Sequence, residues 1–223
     1  MYNYSAHGFG YDSKANDYKF VRISCCIYDK SYKAELYTLG TDSWKDIQIQ
    51  LPNEGVYLLR ERGVYLEGLF YWKFINSIVS FDMSEEKFST IPRPDGDRDV
   101  VLYNLAVWNG SLVGFCRPVK NDWYSMCFEM WVMANNNDGG VTWTHHLTIG
   151  PLARVDLPLR FLNEEELLME SGDGRIVSYN IRTATLRKLH IRGAILETHT
   201  YADSYVPSLV SVKPRVVGNE NTP

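Results

Sequence analysis

Along residues 34–47, "AELYTLGTDSWKDI", apolar and polar positions alternate, a polar turn interrupts, and a tryptophan and an isoleucine follow. The same order returns at 78–91 ("IVSFDMSEEKFSTI"), 128–147 ("FEMWVMANNNDGGVTWTHHL") and 176–189 ("IVSYNIRTATLRKL"). Each copy carries an aromatic residue at its fourth place (Tyr37, Phe81, Trp131, Tyr179) with an apolar partner two places on (Leu39, Met83, Met133, Ile181). A second bulky residue follows the turn (Trp44, Phe88, Trp143, Leu186), and an apolar residue closes the unit (Ile47, Ile91, Leu147, Leu189). A step of two keeps side chains on one face of a strand, so each copy predicts a β-hairpin with its large side chains turned inward. The third copy carries "ANNNDGG", which is expected to lengthen its hairpin loop by five residues.

The first aromatics lie 44, 50 and 48 residues apart. Periods of this size point to propeller blades of four short strands, and two further strands are predicted before each hairpin. "GFGYDSKANDYKFVRIS" (8–24) supplies both for the first copy, joined by "SKAN". "VYLEGLFYWKF" (64–74) bends at Gly68, "LAVWNGSLVGFC" (105–116) turns at Asn109-Gly110, and "LPLRFLNEEELLME" (157–170) turns at Asn163. Asn-Gly is a strong hairpin signal because both central residues of a type I′ turn need positive φ. The fold class is therefore all-β, a β-propeller-like (kelch-like) array of about four blades over residues 1–215, with 216–223 as a disordered tail. Four blades is the low end for a closed ring. The stretch "YADSYVPSLVSVKPR" (201–215) could add a strand, and upstream residues are expected to be missing.

Composition narrows the class. Aromatics reach 13%, with 15 Tyr and 6 Trp, which suits β-structure. The net charge of −4 argues against a nucleic-acid binder with a general basic surface. No apolar run approaches the roughly 20 residues of a membrane span, and residues 1–12 do not read as a signal peptide. Cys25, Cys26, Cys116 and Cys127 lack a disulfide-like or metal-like spacing and read as free thiols of a cytoplasmic protein, with the nucleus a second location.

Taken in order, "GFGYDSKANDYKFVRIS", "AELYTLGTDSWKDI", "VSFDMSEEKFSTI", "EMWVM…TWTHHLTIGPL" and "EELLMESGDGRIVSYNIRTATLRKLHI" resemble the F-box-associated domain of plant F-box/kelch-type proteins, and most closely the S-locus F-box group. The resemblance runs from Gly8 to about Lys213. It implies a domain that captures a protein for ubiquitination, while an N-terminal F-box binds the Skp adaptor of a cullin-based ligase. For the S-locus group it implies that the captured proteins are stylar S-ribonucleases met in the pollen tube. Met1 lies just before the first matching motif, so such a chain is expected to hold a substrate without itself recruiting Skp or cullin.

A search for chemistry finds little. "GSLVG" (110–114) sits in a predicted hairpin and not in a nucleophile elbow, and "GFG" (8–10) lacks the rest of a dinucleotide site. His145 and His146, adjacent on a strand, point to opposite faces and cannot readily share a metal. The acidic runs "PDGDRD" (94–99) and "NEEE" (163–166) read as solvated loops. No catalytic residue, metal or cofactor is assigned. Two loops are the candidate partner-binding site. "IPRPDGDRDVV" (91–101) offers Asp95, Asp97, Arg98 and Asp99, and "RPVKNDWYSM" (117–126) offers Asp122, Trp123 and Tyr124. Trp and Tyr are enriched at binding hot spots, although Trp123 could equally pack under its own loop. Residues 34–100 hold 12 acidic and 7 basic side chains, an acid excess suited to steering a basic partner such as a ribonuclease. The alternatives are a propeller enzyme, such as a glycosidase or oxidase, and a non-functional truncated F-box relative.

Overall fold

The structure, a computed structural model, describes residues 4–26, 28–29, 31–51, 63–74, 76–94, 100–118, 126–136, 139–192 and 202. Among these residues all regular structure is β-strand, arranged as four antiparallel four-stranded meanders. Sheet I comprises β1 (Tyr4–Asp12), β2 (Asp17–Cys25), β3 (Tyr32–Thr38) and β4 (Ser43–Ile47). Sheet II comprises β5 (Val64–Leu66), β6 (Leu69–Lys73), β7 (Ser77–Asp82) and β8 (Lys87–Pro92). Sheet III is built from β9 (Val100–Trp108), β10 (Ser111–Pro118), β11 (Met126–Asn135) and β12 (Val141–Leu152). Sheet IV is built from β13 (Val155–Phe161), β14 (Glu166–Ser171), β15 (Arg175–Asn180) and β16 (Thr185–Arg192). The sequence repeat thus marks the third and fourth strands of each sheet, and "SKAN" is the β1–β2 turn. No closed ring is seen among the described residues, and the predicted tail at 216–223 lies outside them.

Register explains the seven-residue step. Tyr37 faces Trp44, Phe81 faces Phe88, and Tyr179 faces Leu186 across their hairpins. The third hairpin departs from expectation, because Trp143 faces Met133 while Trp131 faces His145. The insertion mostly extends the strands by further paired residues and adds little to the loop, residues 136–140. A second departure concerns the fourth strands. Trp44 and Leu186 are 48% and 39% exposed, so the second bulky position is not turned into a core in every copy. These strands sit at one edge of each meander, where fewer neighbours are available to cover them.

Consecutive sheets pack face to face. The face of each sheet toward its predecessor is called here its rear face, and the face toward its successor its front face. The front of sheet I (Ala6, Val21, Ile23, Cys25, Leu36) packs on the rear of sheet II (Phe70, Trp72, Phe74, Val79, Phe81, Met83). Sheet II meets sheet III through Tyr71, Ile78 and Ile91 against Leu102, Leu112 and Trp131. Sheet III meets sheet IV through Phe115, Phe128 and Met130 against Leu167, Met169, Val177 and Tyr179. The first aromatic of the repeat therefore lies on the rear face in every copy. Phe81, Trp131 and Tyr179 are 0%, 8% and 5% exposed, each beneath the preceding sheet, whereas Tyr37 is only half-buried.

The "GFG" motif has a packing role. A Cβ at Gly8 would sit 2.6 Å from the Phe70 ring, and one at Gly10 would sit 2.6 Å from the Tyr65 ring. Strand β1 alternates small residues on its front with His7, Phe9 and Tyr11 on its rear, so the rings of sheet II can lie directly on its backbone. Tyr65 Oη donates to the Tyr11 carbonyl (2.9 Å) and Trp72 Nε1 to the His7 carbonyl (3.2 Å).

At one end of the sheet I–II interface lies a buried ion cluster. Lys19 Nζ donates to Asp12 Oδ2 (2.7 Å), to the Met83 carbonyl (2.8 Å) and to Glu86 Oε1 (2.8 Å). Ser84 Oγ also donates to Asp12 (2.6 Å). Burial pushes the Asp12 carboxyl up, but the bonds from Lys19, Ser84 and the Ala15 amide outweigh it and hold the group well below the usual carboxylate range. Glu86 behaves likewise: burial raises its pKa, and Lys19 and Lys45 bring it down overall. Much of the acid excess counted over residues 34–100 is therefore neutralised from sheet I. Lys14 pairs with Glu85, Lys19 with Glu86, and Arg22 with Glu35.

Two expectations follow from this packing. Because the folded pKa of Asp12 is depressed, its contribution is fully present above the unfolded value near pH 4 and is lost as pH falls below it. Asp12→Asn should cost about 3 kcal/mol near neutrality, the scale for breaking a buried ion pair, and should flatten the fall in stability below about pH 4. Urea unfolding at several pH values checks both, and an unchanged acid limb in the variant would count against this cluster as the latch. Phe81→Ala should cost about 3–5 kcal/mol as a cavity in a covered face. Tyr37→Ala, at the equivalent but open position, should cost only about 1 kcal/mol in the same assay.

Candidate partner-binding rim

The two rims of the array differ. On one rim lie the turns that join the first strand to the second and the third to the fourth in each sheet: 13–16, 39–42, 67–68, 83–86, 109–110, 136–140, 162–165 and 181–184. These turns are fixed by local chemistry. Asn16, Asp42, Glu67, Glu86, Asn109 and Ala184 all have φ between 47° and 54°. Asp12, Asp82, Asn163 and Asn180 each accept two backbone N–H bonds within their own turns through Oδ1. Such Asx turns leave little freedom to vary shape.

The opposite strand ends carry the short links 26–31, 74–76, 153–154 and 172–174 and, besides these, the three longer connections 48–63, 93–99 and 119–125. All seven candidate residues belong to two of them. Asp95, Asp97, Arg98, Asp99, Asp122, Trp123 and Tyr124 lie outside the described residues, but the roots of both loops are defined. Val100, where β9 begins, is paired with Pro118, where β10 ends. The chain therefore enters the second loop beside the point where it leaves the first.

The roots are well anchored. Arg93 Nη1 donates to the Val100 carbonyl (2.9 Å), bridging the base of the 93–99 connection. Pro94 packs over Gly114, where an added Cβ would meet its Cγ at 3.1 Å. Arg117 is 4% exposed, donates to Tyr103 Oη (3.2 Å) and lies 5.8 Å from that ring's centre. Lys73 Nζ donates to the Tyr103 carbonyl (2.7 Å) from sheet II. Arg93, Lys73 and Arg117 thus lie near the described ends of the two connections, the first of which is acidic in sequence over 95–99. Sequence reasoning did not single out Arg93, Lys73, Tyr103 or Arg117. The β9–β10 pairing and the packing of sheet II on sheet III, neither visible as a motif, bring them together.

The other chemical candidates resolve into structural roles. His145 packs edge-on to Trp131 (5.3 Å between ring centres), and His146 lies against Trp108 (4.5 Å). A register shift between Met130 and Trp131 leaves His146 without a partner in the β11–β12 ladder. Within "NEEE", Asn163 caps the turn, Glu165 pairs with Arg182 (3.0 Å), and Glu166 accepts from Ser178 and Asn180. Among the described residues no three His, Cys, Asp or Glu side chains converge as a metal site. The four cysteines are free. No helix among these residues is long and apolar enough to cross a membrane.

Four-stranded antiparallel meanders stacked front to rear are the architecture of a β-propeller-type domain. The sequence matches the family described as F-box associated beta propeller domain over residues 1–212, and the chain belongs to that family. Among curated relatives from Arabidopsis thaliana, an F-box/kelch-repeat protein is 26% identical over 78% of this chain and 48% of its own length. The F-box protein CPR1 is 25% identical over 85% of this chain and 52% of its own length. The chain spans about half the length of the curated relatives it matches. A solved luciferin-regenerating enzyme overlaps 84% of this chain and 59% of its own at 11% identity and a TM-score of 0.38, too loose a fit to carry an argument.

Proposed function

We propose that this chain is the substrate-recognition part of an F-box protein, holding a target protein for ubiquitination by a cullin-based ligase and performing no chemistry of its own. Skp and cullin would engage through an F-box and not through this domain. The observation that carries the reading is the pairing of Val100 with Pro118. That pairing puts the described end of one candidate segment beside the described start of the other, in a chain of the F-box-associated family, and so supports reading them as one surface. Loops on a rigid β-scaffold are where binding residues concentrate.

In this reading Trp123 and Tyr124 are the anchors, Asp122 and Arg98 add polar contacts, and Asp95, Asp97 and Asp99 steer a basic partner. The S-locus resemblance makes a basic stylar S-ribonuclease the target, met in the cytoplasm of the pollen tube, with the nucleus a second setting. Neutralisation of much of the acid excess by sheet I supports assigning the steering to residues 95–99 instead of to the whole of sheet II.

A pull-down from pollen and style extracts, with the chain alone and joined to an F-box, read by quantitative mass spectrometry, tests this. Both forms should retain the same basic ribonuclease, and only the joined form should retain the Skp adaptor. With that ribonuclease in hand, Trp123→Ala with Tyr124→Ala should weaken binding by about tenfold or more without altering the unfolding curve. Asp95, Asp97 and Asp99 changed together to Asn should lower the association rate and its salt dependence, with little effect on dissociation. A double variant that binds normally would remove the anchors from the site, and an association rate indifferent to salt would remove the steering.

A further inference from the structure

We infer that the outer margin between sheets III and IV binds an extended acidic segment of another polypeptide, laid along β16. The inference is independent of the substrate-recognition reading, since it concerns strands of two neighbouring sheets and neither candidate loop.

This margin is open where its counterparts are closed. β12 and β16 are the last strands of sheets III and IV, as β4 and β8 are of sheets I and II. Between sheets I and II, Lys45 of β4 pairs with Glu86 in the turn that leads into β8. Between sheets II and III, Trp143 Nε1 of β12 donates to the Pro92 carbonyl of β8 (2.8 Å). Sheets III and IV are tied at the other side, where Asn104 Nδ2 of β9 donates to the Pro158 carbonyl of β13 (2.8 Å). Trp108 Nε1, at the end of β9, donates to the Glu164 carbonyl (2.8 Å). Among the described residues no hydrogen bond, ion pair or ring contact joins β12 to β16.

Register fixes which side chains line the margin. Thr144 pairs with Val132, and His146 lies against Trp108 (4.5 Å between ring centres). Val132 and the half-buried Trp108 both pack at the edge of the sheet III–IV core. Leu186 pairs with Tyr179 and Lys188 with Val177, and Tyr179 and Val177 belong to that core. Paired residues share a face of their sheet, so Thr144, with His146 by its ring contact, looks from β12 toward sheet IV. Leu186 and Lys188 look from β16 toward sheet III. All four are exposed all the same, Leu186 to 39%.

Charge selects the partner. Residues 141–152 and 175–192, the last strand of sheet III and the last hairpin of sheet IV, contain no Asp or Glu. They carry Arg175, Arg182, Arg187, Lys188 and Arg192, in a chain whose net charge is −4. Arg175 and Arg182 are answered by Asp173 and Glu165 in neighbouring turns. Among the described residues Lys188 has no ion-pair partner. At the sheet I–II margin Glu86 meets the cation of the facing strand; here a partner's carboxylate takes that place.

Spacing selects the partner's form. Leu186 and Lys188 stand two places apart on one side of an outermost strand, the period of β-structure. A strand laid beside β16 meets both with an apolar and an acidic residue that are likewise two apart. Among the described residues no strand lies beyond β16, so the backbone of such a segment can pair with its free edge, as in β-strand addition. Neither a nucleic acid nor a lipid surface supplies the regular backbone donors and acceptors that pair with a strand edge.

Fluorescence anisotropy of the full chain with a labelled synthetic peptide tests the inference. The probe alternates Thr with Leu and Glu, so that Leu and Glu fall two apart on one face. Binding is expected, and Lys188→Glu should weaken it by about tenfold or more, Leu186→Ser by several-fold. The Lys188→Glu chain should in turn hold a peptide with Lys in place of Glu. Lys87→Glu, the same charge change on the outer strand of sheet II, should leave binding of the probe unchanged. All three positions are exposed, so the variants should unfold like the parent, as circular dichroism would check. No binding of the probe, or equal binding of a peptide that places Leu and Glu on opposite faces, would overturn the proposal. So would tighter, Lys188-dependent binding of single-stranded RNA or of phosphatidylserine vesicles. A probe that binds only once residues 203–223 are removed would also overturn it, by making the chain's own tail the occupant.

Discussion

The structure depends on one constraint: a four-stranded sheet has two faces and cannot bury either alone. Each meander here carries apolar side chains on both faces, so its stability lies in contact with its neighbours. The interface between sheets I and II shows how that contact is made. Strand β1 keeps Ala6, Gly8 and Gly10 on its front, and the rings of Tyr65 and Phe70 come down onto its backbone. Small against large is how layers interdigitate without voids. The Lys19–Asp12–Glu86 cluster then fixes the register of one sheet against the next at the end of the same interface.

Stacking of this kind separates the two rims. Turns within hairpins hold the strand pairing in each sheet, and their Asx caps and positive-φ residues serve that end. The connections on the other rim are under weaker demands, since the sheets they flank are already positioned by their cores. Longer, chemically varied sequence can then accumulate there without cost to the scaffold. The firm anchoring of the 93–99 and 119–125 roots by Arg93, Pro94 and Arg117 fits a scaffold that presents loops from a rigid base.

Much of the fold was legible because side-chain period and turn chemistry are local. "SKAN", Asn109-Gly110 and Asn163 mark turns that the structure contains, and the repeat found both strands of the outer hairpin in every sheet. What escaped was set by neighbours. Trp44 and Phe88 occupy the same place in the repeat, yet Trp44 lies exposed while Phe88 packs against the sheet I–II core, because among the described residues sheet II has another sheet on that side and sheet I does not. The third hairpin departs from the repeat because pairing continues past Met133, with Ala134 against Thr142 and Asn135 against Val141. The grouping of Lys73, Tyr103 and Arg117 below the loops joins residues of three strands, and no spacing in the chain announces it.

Local charge has the same character. A count along residues 34–100 suggests an acidic surface, but charge acts in space, and strands distant in sequence supply the counter-ions. Glu35, Glu85 and Glu86 are answered by Arg22, Lys14 and Lys19, all from the first hairpin. Paired charges at short range project little field beyond a Debye length. Any steering by this protein must then come from carboxylates that the scaffold does not use for its own cohesion. In the sequence, Asp95, Asp97 and Asp99 fall in a five-residue stretch with one arginine, between β8 and β9. Charge spent on holding sheets together is unavailable for attracting a partner.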